Sequence, residues 1–274
     1  MTMYSFGLLG HPLGHSLSPV IHEKLMKLIG IEGRYGLYDV PPEQLPVKMG
    51  EILSLDGANV TIPYKGDVIP YLDELDDTAK RYMSVNCIAV RDGKKTGFNT
   101  DCVGFIRSLE GAGGRLDGRV LLCGCGGVGR MIGIECLRHG AELTVKVRPG
   151  RECTVDGVAA YARENCLNEV RVVTADTGEE YDTLINGTSV GMFPNVGYSP
   201  ADEDTVRRAG FVYDVIYNPS ETLIMRYARK NGIPCTGGMA MLVYQAAAAE
   251  EYWTGMKFDD EDVEKIVDEM MEMI

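Results

Sequence analysis

The stretch that decides the fold is Val120-Leu-Leu-Cys-Gly124-Cys-Gly126-Gly127-Val-Gly129-Arg130. An apolar run that ends in glycines and leads into helix-forming sequence predicts a strand, a tight turn and a helix. Gly124, Gly126 and Gly129 have the spacing G-x-G-x-x-G, in which the first glycine permits the turn, the second lets a pyrophosphate approach the backbone and the third lets helix and strand pack closely. The start of the helix also offers free N–H groups to a phosphate. The stretch therefore predicts a dinucleotide site, and the alternative is a tight turn that binds no ligand.

Apolar strands alternate with helices on both sides of this stretch. This alternation predicts an α/β fold built on parallel sheets with right-handed crossovers. Two further helices are predicted at 240–253 and 260–273. We expect two domains, one of residues 1–104 completed by the helices of 239–274, and one of residues 105–238.

Three segments near the N-terminus give specific predictions. Ser18-Pro19 predicts the start of a helix with Ser18 as its N-cap. The acidic segment 73–82 predicts a helix, and the segment 84–91 predicts a strand closed by the turn Asp92-Gly93.

The net charge of −13 argues against a nucleic-acid partner, because such proteins present basic surfaces. Most of the acidity lies in residues 239–274, whose two basic and ten acidic residues give −8, so the rest of the chain can still bind small anions. Eight cysteines without a C-x-x-C pair, no signal peptide and no membrane-length apolar run predict a cytoplasmic protein with reduced thiols. No metal is expected, since His11 and His15 lie on a glycine–proline loop rather than on one helix face.

The strand after the glycine loop ends in Val145-Lys-Val-Arg148-Pro-Gly-Arg151. An NAD site usually carries Asp or Glu here to bind the ribose hydroxyls. This chain has Val147 followed by Arg148, which can pair with a 2′-phosphate, and Arg130 and Arg151 can add to it. The sequence therefore favours NADP over NAD, and the alternative is that the arginines are solvated surface.

Polar side chains accompany glycine and proline in the first hundred residues. Ser16 and Ser18 lie at the start of the first helix, and Asn59 and Thr61 share one face of a strand that is followed by Lys65. Loops at strand ends are where α/β proteins hold ligands. Taken singly, each of these groups is as easily explained as a cap or a surface residue.

Together, eight segments resemble the shikimate dehydrogenase family over nearly the whole chain and in the same order. They are Gly10-His-Pro-Leu-Gly-His15-Ser16-Leu-Ser18-Pro19, Asn59-Val-Thr61-Ile-Pro-Tyr-Lys65, Ser84-Val-Asn86, Gly97-Phe-Asn99-Thr-Asp101, Gly124–Arg130, Asn186-Gly-Thr188-Ser-Val-Gly-Met192, Tyr213-Asp214-Val-Ile-Tyr217-Asn-Pro219 and Gly237-Gly-Met-Ala-Met-Leu-Val-Tyr-Gln245-Ala. The resemblance implies an α/β substrate domain and a Rossmann-type, doubly wound NADP-binding domain. It implies the reversible, NADPH-dependent reduction of 3-dehydroshikimate to shikimate, on the route to chorismate and aromatic amino acids. The partners implied are these small molecules, with no nucleic acid or membrane, in a monomer or homodimer.

The resemblance also implies roles for individual residues. Lys65 and Asp101 would form the catalytic pair, in which Lys65 gives a proton to the oxygen of the ketone and takes it back in the reverse direction. Ser16 and Ser18 would bind the substrate carboxylate. Ring hydroxyls would be held by Thr61, Asn86, Asp101 and Gln245. The cofactor would meet Gly124, Gly126, Gly127, Gly129, Arg130, Arg148, Tyr217 and Gly238.

Some positions depart from the family's pattern. Val147 and Pro149 stand where the common NADP pattern has Asn and Thr beside the arginine, which weakens the cofactor assignment. Ser18, where some members have Thr, favours shikimate over quinate. No departure touches Lys65 or Asp101. The alternatives are an NAD-dependent quinate/shikimate dehydrogenase and a non-catalytic nucleotide-binding regulator of the same fold.

Overall fold

The glycine-rich stretch folds as predicted. A strand at Arg119–Cys123 enters a turn at Gly124, and a helix begins at Gly127. Gly124 has a φ of +87°, which residues with a Cβ rarely adopt. A Cβ on Gly129 would lie 2.4 Å from the Gly124 carbonyl oxygen, so only glycine lets the helix approach the turn this closely.

The structure, a computed structural model, describes residues 3–14 and 16–274. In chain order its helices and strands are β1 (Tyr4–Gly10), α1 (Ser18–Leu28), β2 (Gly33–Asp39), α2 (Leu45–Ile52), β3 (Gly57–Val60), β4 (Glu74–Leu75), α3 (Asp77–Tyr82), β5 (Cys87–Arg91), β6 (Lys94–Phe98), α4 (Asp101–Gly111), β7 (Arg119–Cys123), α5 (Gly127–Arg138), β8 (Glu142–Lys146), α6 (Asp156–Glu164), β9 (Arg171–Val173), β10 (Tyr181–Asn186), α7 (Glu203–Arg207), β11 (Ala209–Asp214), α8 (Leu223–Lys230), β12 (Cys235–Thr236), α9 (Met239–Thr254) and α10 (Asp260–Met271). The α/β fold class predicted from the sequence is confirmed.

The chain divides into two compact units. Unit 1 extends to Gly104 and takes in Val243–Met270, and unit 2 covers Phe105–Leu242 and Met271–Ile274. The divisions therefore fall inside α4, inside α9 and at the last residue of α10.

Unit 1 contains a six-stranded sheet in the order β2-β1-β3-β5-β6-β4. β1 runs parallel to β2 and β3, but β5 is antiparallel to both β3 and β6. The prediction of purely parallel sheets is therefore wrong for this unit. The reason is local, because Asp92 and Gly93 both have positive φ and turn the chain straight back into β6.

The predicted acidic helix over 73–82 is also shorter in the structure. α3 begins at Asp77, because the Asp76 carboxylate caps it by accepting the Ala79 N–H at 2.8 Å. Residues 74 and 75 instead form β4, which pairs in parallel with β6.

Helix α9 is fixed in unit 1 by Trp253. The indole stacks on Phe6 with ring centroids 4.5 Å apart and donates its N–H to the Ile88 carbonyl at 2.9 Å. A Cβ on Gly57 would lie 2.4 Å from the indole, so the helix rests directly on the sheet. One turn earlier, buried Glu250 accepts a 2.8 Å hydrogen bond from buried His22 of α1.

The sheet of unit 2 is parallel throughout, in the order β12-β11-β10-β7-β8-β9. This is the doubly wound arrangement predicted from the sequence. The strand order reverses between β7 and β10, and such a switch point is where open α/β sheets bind ligands at the carboxyl ends of their strands. No helix among residues 3–14 and 16–274 combines the length and the apolar character needed to cross a lipid bilayer.

Candidate active site

The start of α1 differs from the prediction in one respect. The N-cap position is Leu17, and Ser18 is the first residue of the helix, so the assignment of Ser18 as the cap is wrong. Pro19 fits either of the first two helical positions, which lets the helix begin one residue earlier than expected. The Ser16 hydroxyl accepts the Ser18 N–H at 3.2 Å, which keeps the two serines together in unit 1. His15 lies outside the described residues.

Lys65 and Asp101 form an ion pair. The Lys65 Nζ donates to Asp101 Oδ2 at 2.5 Å, and the two side chains are 25% and 16% exposed. Lys65 lies in the turns after β3, where its carbonyl accepts the Val85 N–H at 2.7 Å. Asp101 is the first residue of α4. The structure thus brings together a proton donor and a carboxylate that lie 36 positions apart, with access to solvent.

Asn86 fixes the orientation of this carboxylate. Its side chain is buried, and its Nδ2 donates to Asp101 Oδ1 at 2.8 Å. Its Oδ1 accepts the Thr100 N–H at 2.6 Å, and Gln245 Oε1 lies 3.4 Å from the same Nδ2. Asn86, Asp101 and Gln245, three residues with an implied substrate role, are therefore in direct contact.

A second group of contacts connects Asn86 with Asn59 of β3 and Tyr35 of β2. The Tyr35 hydroxyl donates to Asn59 Oδ1 at 2.8 Å, and Asn59 Nδ2 donates to the Asn86 carbonyl at 3.3 Å. Tyr35 also stacks on His22 of α1, with ring centroids 4.1 Å apart. Burial raises the pKa of Tyr35 well above its usual range, so the hydroxyl stays protonated and remains a donor.

The sequence analysis gave Tyr35 no role. No local pattern could have found it, since it lies on β2 and its partners lie on α1 and β3. Thr61, which was predicted within the strand beside Asn59, lies one residue beyond the end of β3, and its N–H donates to the Leu9 carbonyl at 2.8 Å.

Unit 2 contains a cavity of about 400 Å³ at the carboxyl ends of β7 and β8. Gly124, Gly126 and Arg148 line it, and so do Thr188 and Arg151. A Cβ on Gly126 would meet no atom within 4 Å, so a ligand can approach the backbone there. Gly126 is also the N-cap of α5 and supplies no side-chain acceptor, which leaves the first N–H groups of the helix for an anion.

The cavity is rich in uncompensated positive charge. Arg148 and Arg151 both line it, and no described residue forms an ion pair with either guanidinium. In the same unit Arg171 is held by Glu179 at 2.8 Å, as is usual for arginines in an acidic protein. Two unpaired guanidiniums beside a free helix start fit a ligand that carries more than one phosphate.

The remaining predicted cofactor residues are not in the lining of this cavity. Gly127 and Gly129 lie in the first turn of α5, behind the loop, and the Arg130 guanidinium lies about 3.3 Å from where a Cβ on Gly157 would be. Tyr217 and Gly238 lie in neighbouring loops beyond β11 and β12. The Gly238 N–H donates to the Ile216 carbonyl at 2.9 Å.

Thiol chemistry and metal binding can also be assessed from the structure. Burial raises the pKa of Cys125 to about 11, so this thiol of the glycine loop is neutral and a poor nucleophile. Over the part of the chain that the structure describes, no group of three or more His, Cys, Asp or Glu side chains is placed to hold a metal ion.

Comparison with known proteins adds to this geometry. The family described as "Shikimate dehydrogenase substrate binding domain" matches residues 8–88, and "Shikimate 5'-dehydrogenase C-terminal domain" matches residues 238–267. The shikimate dehydrogenase (NADP(+)) of Caldanaerobacter subterraneus subsp. tengcongensis is 42% identical over 272 residues, which cover 97% of each chain. The chain belongs to the shikimate dehydrogenase family.

Solved structures agree with this membership. A chorismate mutase/shikimate 5-dehydrogenase fusion protein from Clostridium acetobutylicum is 33% identical, with a TM-score of 0.88 and coverage of 100% of this chain and 99% of that one. Shikimate 5-dehydrogenase from Thermus thermophilus, in complex with NADP(H) and shikimate, is 32% identical with a TM-score of 0.85, covering 97% and 99%. These shikimate dehydrogenases confirm the resemblance inferred from the sequence and the predicted architecture.

Proposed function

We propose that this chain is an NADP-dependent shikimate dehydrogenase that reversibly reduces 3-dehydroshikimate to shikimate. The observation that carries the proposal is the Lys65–Asp101 pair, 2.5 Å apart and accessible, with Asn86 and Gln245 beside it. A ketone reductase needs a proton donor fixed next to hydroxyl-binding groups, and this cluster provides both.

The chemistry of the cluster is proton transfer. NADPH, when bound, supplies the hydride that reaches the ketone carbon. The Lys65 ammonium gives its proton to the ketone oxygen, which becomes the new hydroxyl, and in the reverse direction the amine accepts that proton. Asp101 holds the Lys65 Nζ in place, and Asn86 prevents the carboxylate from turning away because it binds the other oxygen.

The substrate would be oriented at two ends. Ser16 and Ser18 supply hydroxyl donors for its carboxylate at the start of α1. Thr61, Asn86, Asp101 and Gln245 would hold the ring hydroxyls. The Tyr35–Asn59–Asn86 hydrogen bonds support this proposal, because they hold Asn86 in place beside the reacting end.

The cofactor would lie on the glycine loop of unit 2. Gly124 and Gly126 would admit its pyrophosphate. Gly127 and Gly129 would contribute as the start of α5, whose N–H groups would face the pyrophosphate and whose Gly129 lets the helix pack close to the turn. Arg148, with Arg151 nearby, would pair with the 2′-phosphate. β8 ends in Lys146 and is followed by Val147, so no carboxylate stands there to repel that phosphate. We propose Arg130, Tyr217 and Gly238 as further cofactor contacts, as the family resemblance implies.

The proposal also covers the role of each domain, the localisation of the protein and its oligomeric state. Residues 1–104, completed by 239–274, would bind substrate and perform catalysis, and residues 105–238 would bind NADP. We expect a cytoplasmic monomer or homodimer, which cell fractionation and light scattering would test.

Initial rates of shikimate and quinate oxidation, each with NADP and with NAD, test the function. We expect kcat/KM to be highest for shikimate with NADP. A preference for NAD or for quinate would favour the quinate/shikimate alternative. Tight binding of NADPH without any turnover would favour the non-catalytic regulator.

A further inference from the structure

A buried polar network lies behind the cofactor loop in unit 2. Asn186 ends β10 and Asp214 ends β11, the two residues face each other in the strand register, and both are 0% exposed. Neither residue lines the cavity. Burying a carboxylate beside an amide costs folding free energy unless the polar atoms of both have hydrogen-bond partners. The partners of Asn186 and Asp214 therefore indicate what the pair holds in place.

Asp214 is an acceptor for three donors. The Thr222 hydroxyl donates to its Oδ2 at 2.6 Å, and the Ile216 N–H and Asn186 Nδ2 both donate to its Oδ1 at 3.0 Å. Two of these donors belong to the chain beyond β11, and the third is Asn186. The carboxylate thus fixes the direction in which the Asn186 amide points.

Asn186 uses the rest of its amide on the loop that follows β10. Its Oδ1 accepts both the N–H of Thr188, at 3.0 Å, and the hydroxyl of Thr188, at 2.7 Å. Its Nδ2 also donates to the Val190 carbonyl at 3.1 Å. If the amide were reversed, its NH2 would face the Thr188 N–H, and its oxygen would face the Val190 carbonyl and the Asp214 carboxylate, so three of these bonds would be lost.

The loop held in this way forms one wall of the cavity. Thr188, Ser189 and Val190 line it together with Gly126. The Thr188 methyl packs against Gly124 so closely that a Cβ there would be 2.2 Å away. The position of Thr188 therefore sets the space left beside the glycine turn.

We propose that Asn186 and Asp214 are positioning residues for the cofactor, which keep the Thr188–Val190 wall formed before the cofactor arrives. The inference rests on the proposed function, since it takes the cavity to be the NADP site. A wall that is already ordered does not have to lose conformational freedom on binding, so the network raises affinity without touching the ligand.

The test is direct binding of NADPH, measured by fluorescence titration without substrate. Asn186→Ala removes all the bonds to Thr188 and Val190 and should weaken NADPH binding by about tenfold, while KM for shikimate stays within about twofold. Asp214→Ala removes the acceptor that orients the Asn186 amide and should weaken NADPH binding by about threefold, and Asp214→Asn, which puts an oxygen acceptor back in that place, should restore it.

Thr183→Val is the matched control. Thr183 is buried in the same strand β10, and its hydroxyl donates to the Arg115 carbonyl at 2.7 Å, away from the cavity. This variant should lower the melting temperature without changing NADPH affinity. If Asn186→Ala does not fold, Thr222→Val tests the positioning role instead. It removes the hydroxyl that donates to Asp214 Oδ2 at nearly constant side-chain volume, and it should weaken NADPH binding by about threefold.

The outcomes separate the two proposals. NADPH binding by Asn186→Ala, or by Thr222→Val in its place, within error of the unaltered protein overturns the positioning role and leaves the proposed function intact. Equal losses of affinity in Asn186→Ala and Thr183→Val overturn it as well, because the effect is then one of general stability. If the unaltered protein itself does not bind NADPH, the proposed function fails and the inference fails with it.

Discussion

Replacement of Lys65 by methionine removes the ammonium while keeping most of the side chain's length and apolar stem. In the structure Lys65 Nζ is the group that faces Asp101 Oδ2 at 2.5 Å. Asp101 does not collapse when Lys65 is lost, because Asn86 Nδ2 still binds its other oxygen at 2.8 Å. The variant therefore removes the proposed proton donor and leaves the proposed substrate-binding groups in place.

The expected loss follows from the role of that donor. General acid–base catalysis contributes about 10²- to 10⁴-fold to a rate, which corresponds to about 3 to 5 kcal/mol in activation free energy. The cost in folding stability should be small, about 1 kcal/mol or less, because the ion pair is partly exposed. NADPH affinity should not change, since the residues lining the proposed cofactor cavity belong to unit 2.

The assay is steady-state oxidation of shikimate with NADP, combined with NADPH titration and thermal unfolding of the same preparation. Lys95→Met is the matched control, because Lys95 is also a partly exposed lysine of unit 1 in an ion pair, with Asp73 at 3.3 Å. We expect Lys65→Met to lose kcat by about a hundredfold or more while Lys95→Met keeps it. Turnover by Lys65→Met within about tenfold of the unaltered protein would refute the assignment of Lys65 as proton donor.

Three further predictions follow from unit 2. Arg148→Gln should lower kcat/KM with NADP by about 10- to 100-fold and leave kcat/KM with NAD unchanged, because a charge-assisted bond to the 2′-phosphate is worth about 1.5 to 3 kcal/mol. Equal losses of kcat/KM with both cofactors would contradict this prediction. Burial raises the pKa of Asp214 to about 6 from 3.8, so its stabilising contribution is greatest below pH 4 and is lost as the pH rises through 6. Relative to Asp214→Asn, the unaltered protein should lose about 3 kcal/mol of unfolding free energy between about pH 4 and pH 7 in urea titrations, and a difference that does not vary with pH would contradict this. Gly129→Ala should destabilise the protein by about 1 to 3 kcal/mol because its Cβ meets backbone at 2.4 Å, whereas Gly126→Ala, whose Cβ meets nothing, should melt normally and lose NADPH affinity.

The sequence predicts the parts of this structure that local chemistry determines. The glycine loop is the clearest case, because the spacing of Gly124, Gly126 and Gly129 already requires a strand, a tight turn and a close helix. The strand β6 was missed for the opposite reason. Its sequence, Lys94-Lys-Thr-Gly-Phe98, has no apolar alternation, and only its pairing with β5 makes it a strand.

The candidate site shows the same limit. Family resemblance identified Lys65, Asp101 and Asn86, and the structure brings them into contact. It did not identify Tyr35, since the hydrogen bond to Asn59 joins residues 24 positions apart. Such contacts depend on the order of strands in the sheet, and a single sequence does not specify that order.

His22 is a further example. From the sequence it is an ordinary helix residue, but its ring lies buried against Tyr35, with centroids 4.1 Å apart, and binds Glu250 at the other end of the chain. A separation of 228 positions leaves no local signal that the sequence could have carried.

The division of unit 1 has a consequence for the order in which the protein is made. Its final segment, Val243–Met270, is synthesised only after Phe105–Leu242, which make up nearly all of unit 2. Gln245, Glu250 and Trp253 all belong to that late segment, so the amide beside Asn86, the partner of His22 and the indole over Gly57 reach the nascent chain last. During translation the sheet of unit 1 therefore keeps apolar surface exposed until this segment arrives, whereas every strand of the unit 2 sheet has already been synthesised. A chain released before Val243 would therefore contain nearly all of unit 2 but lack the segment that completes unit 1, to which the Lys65–Asp101 pair belongs.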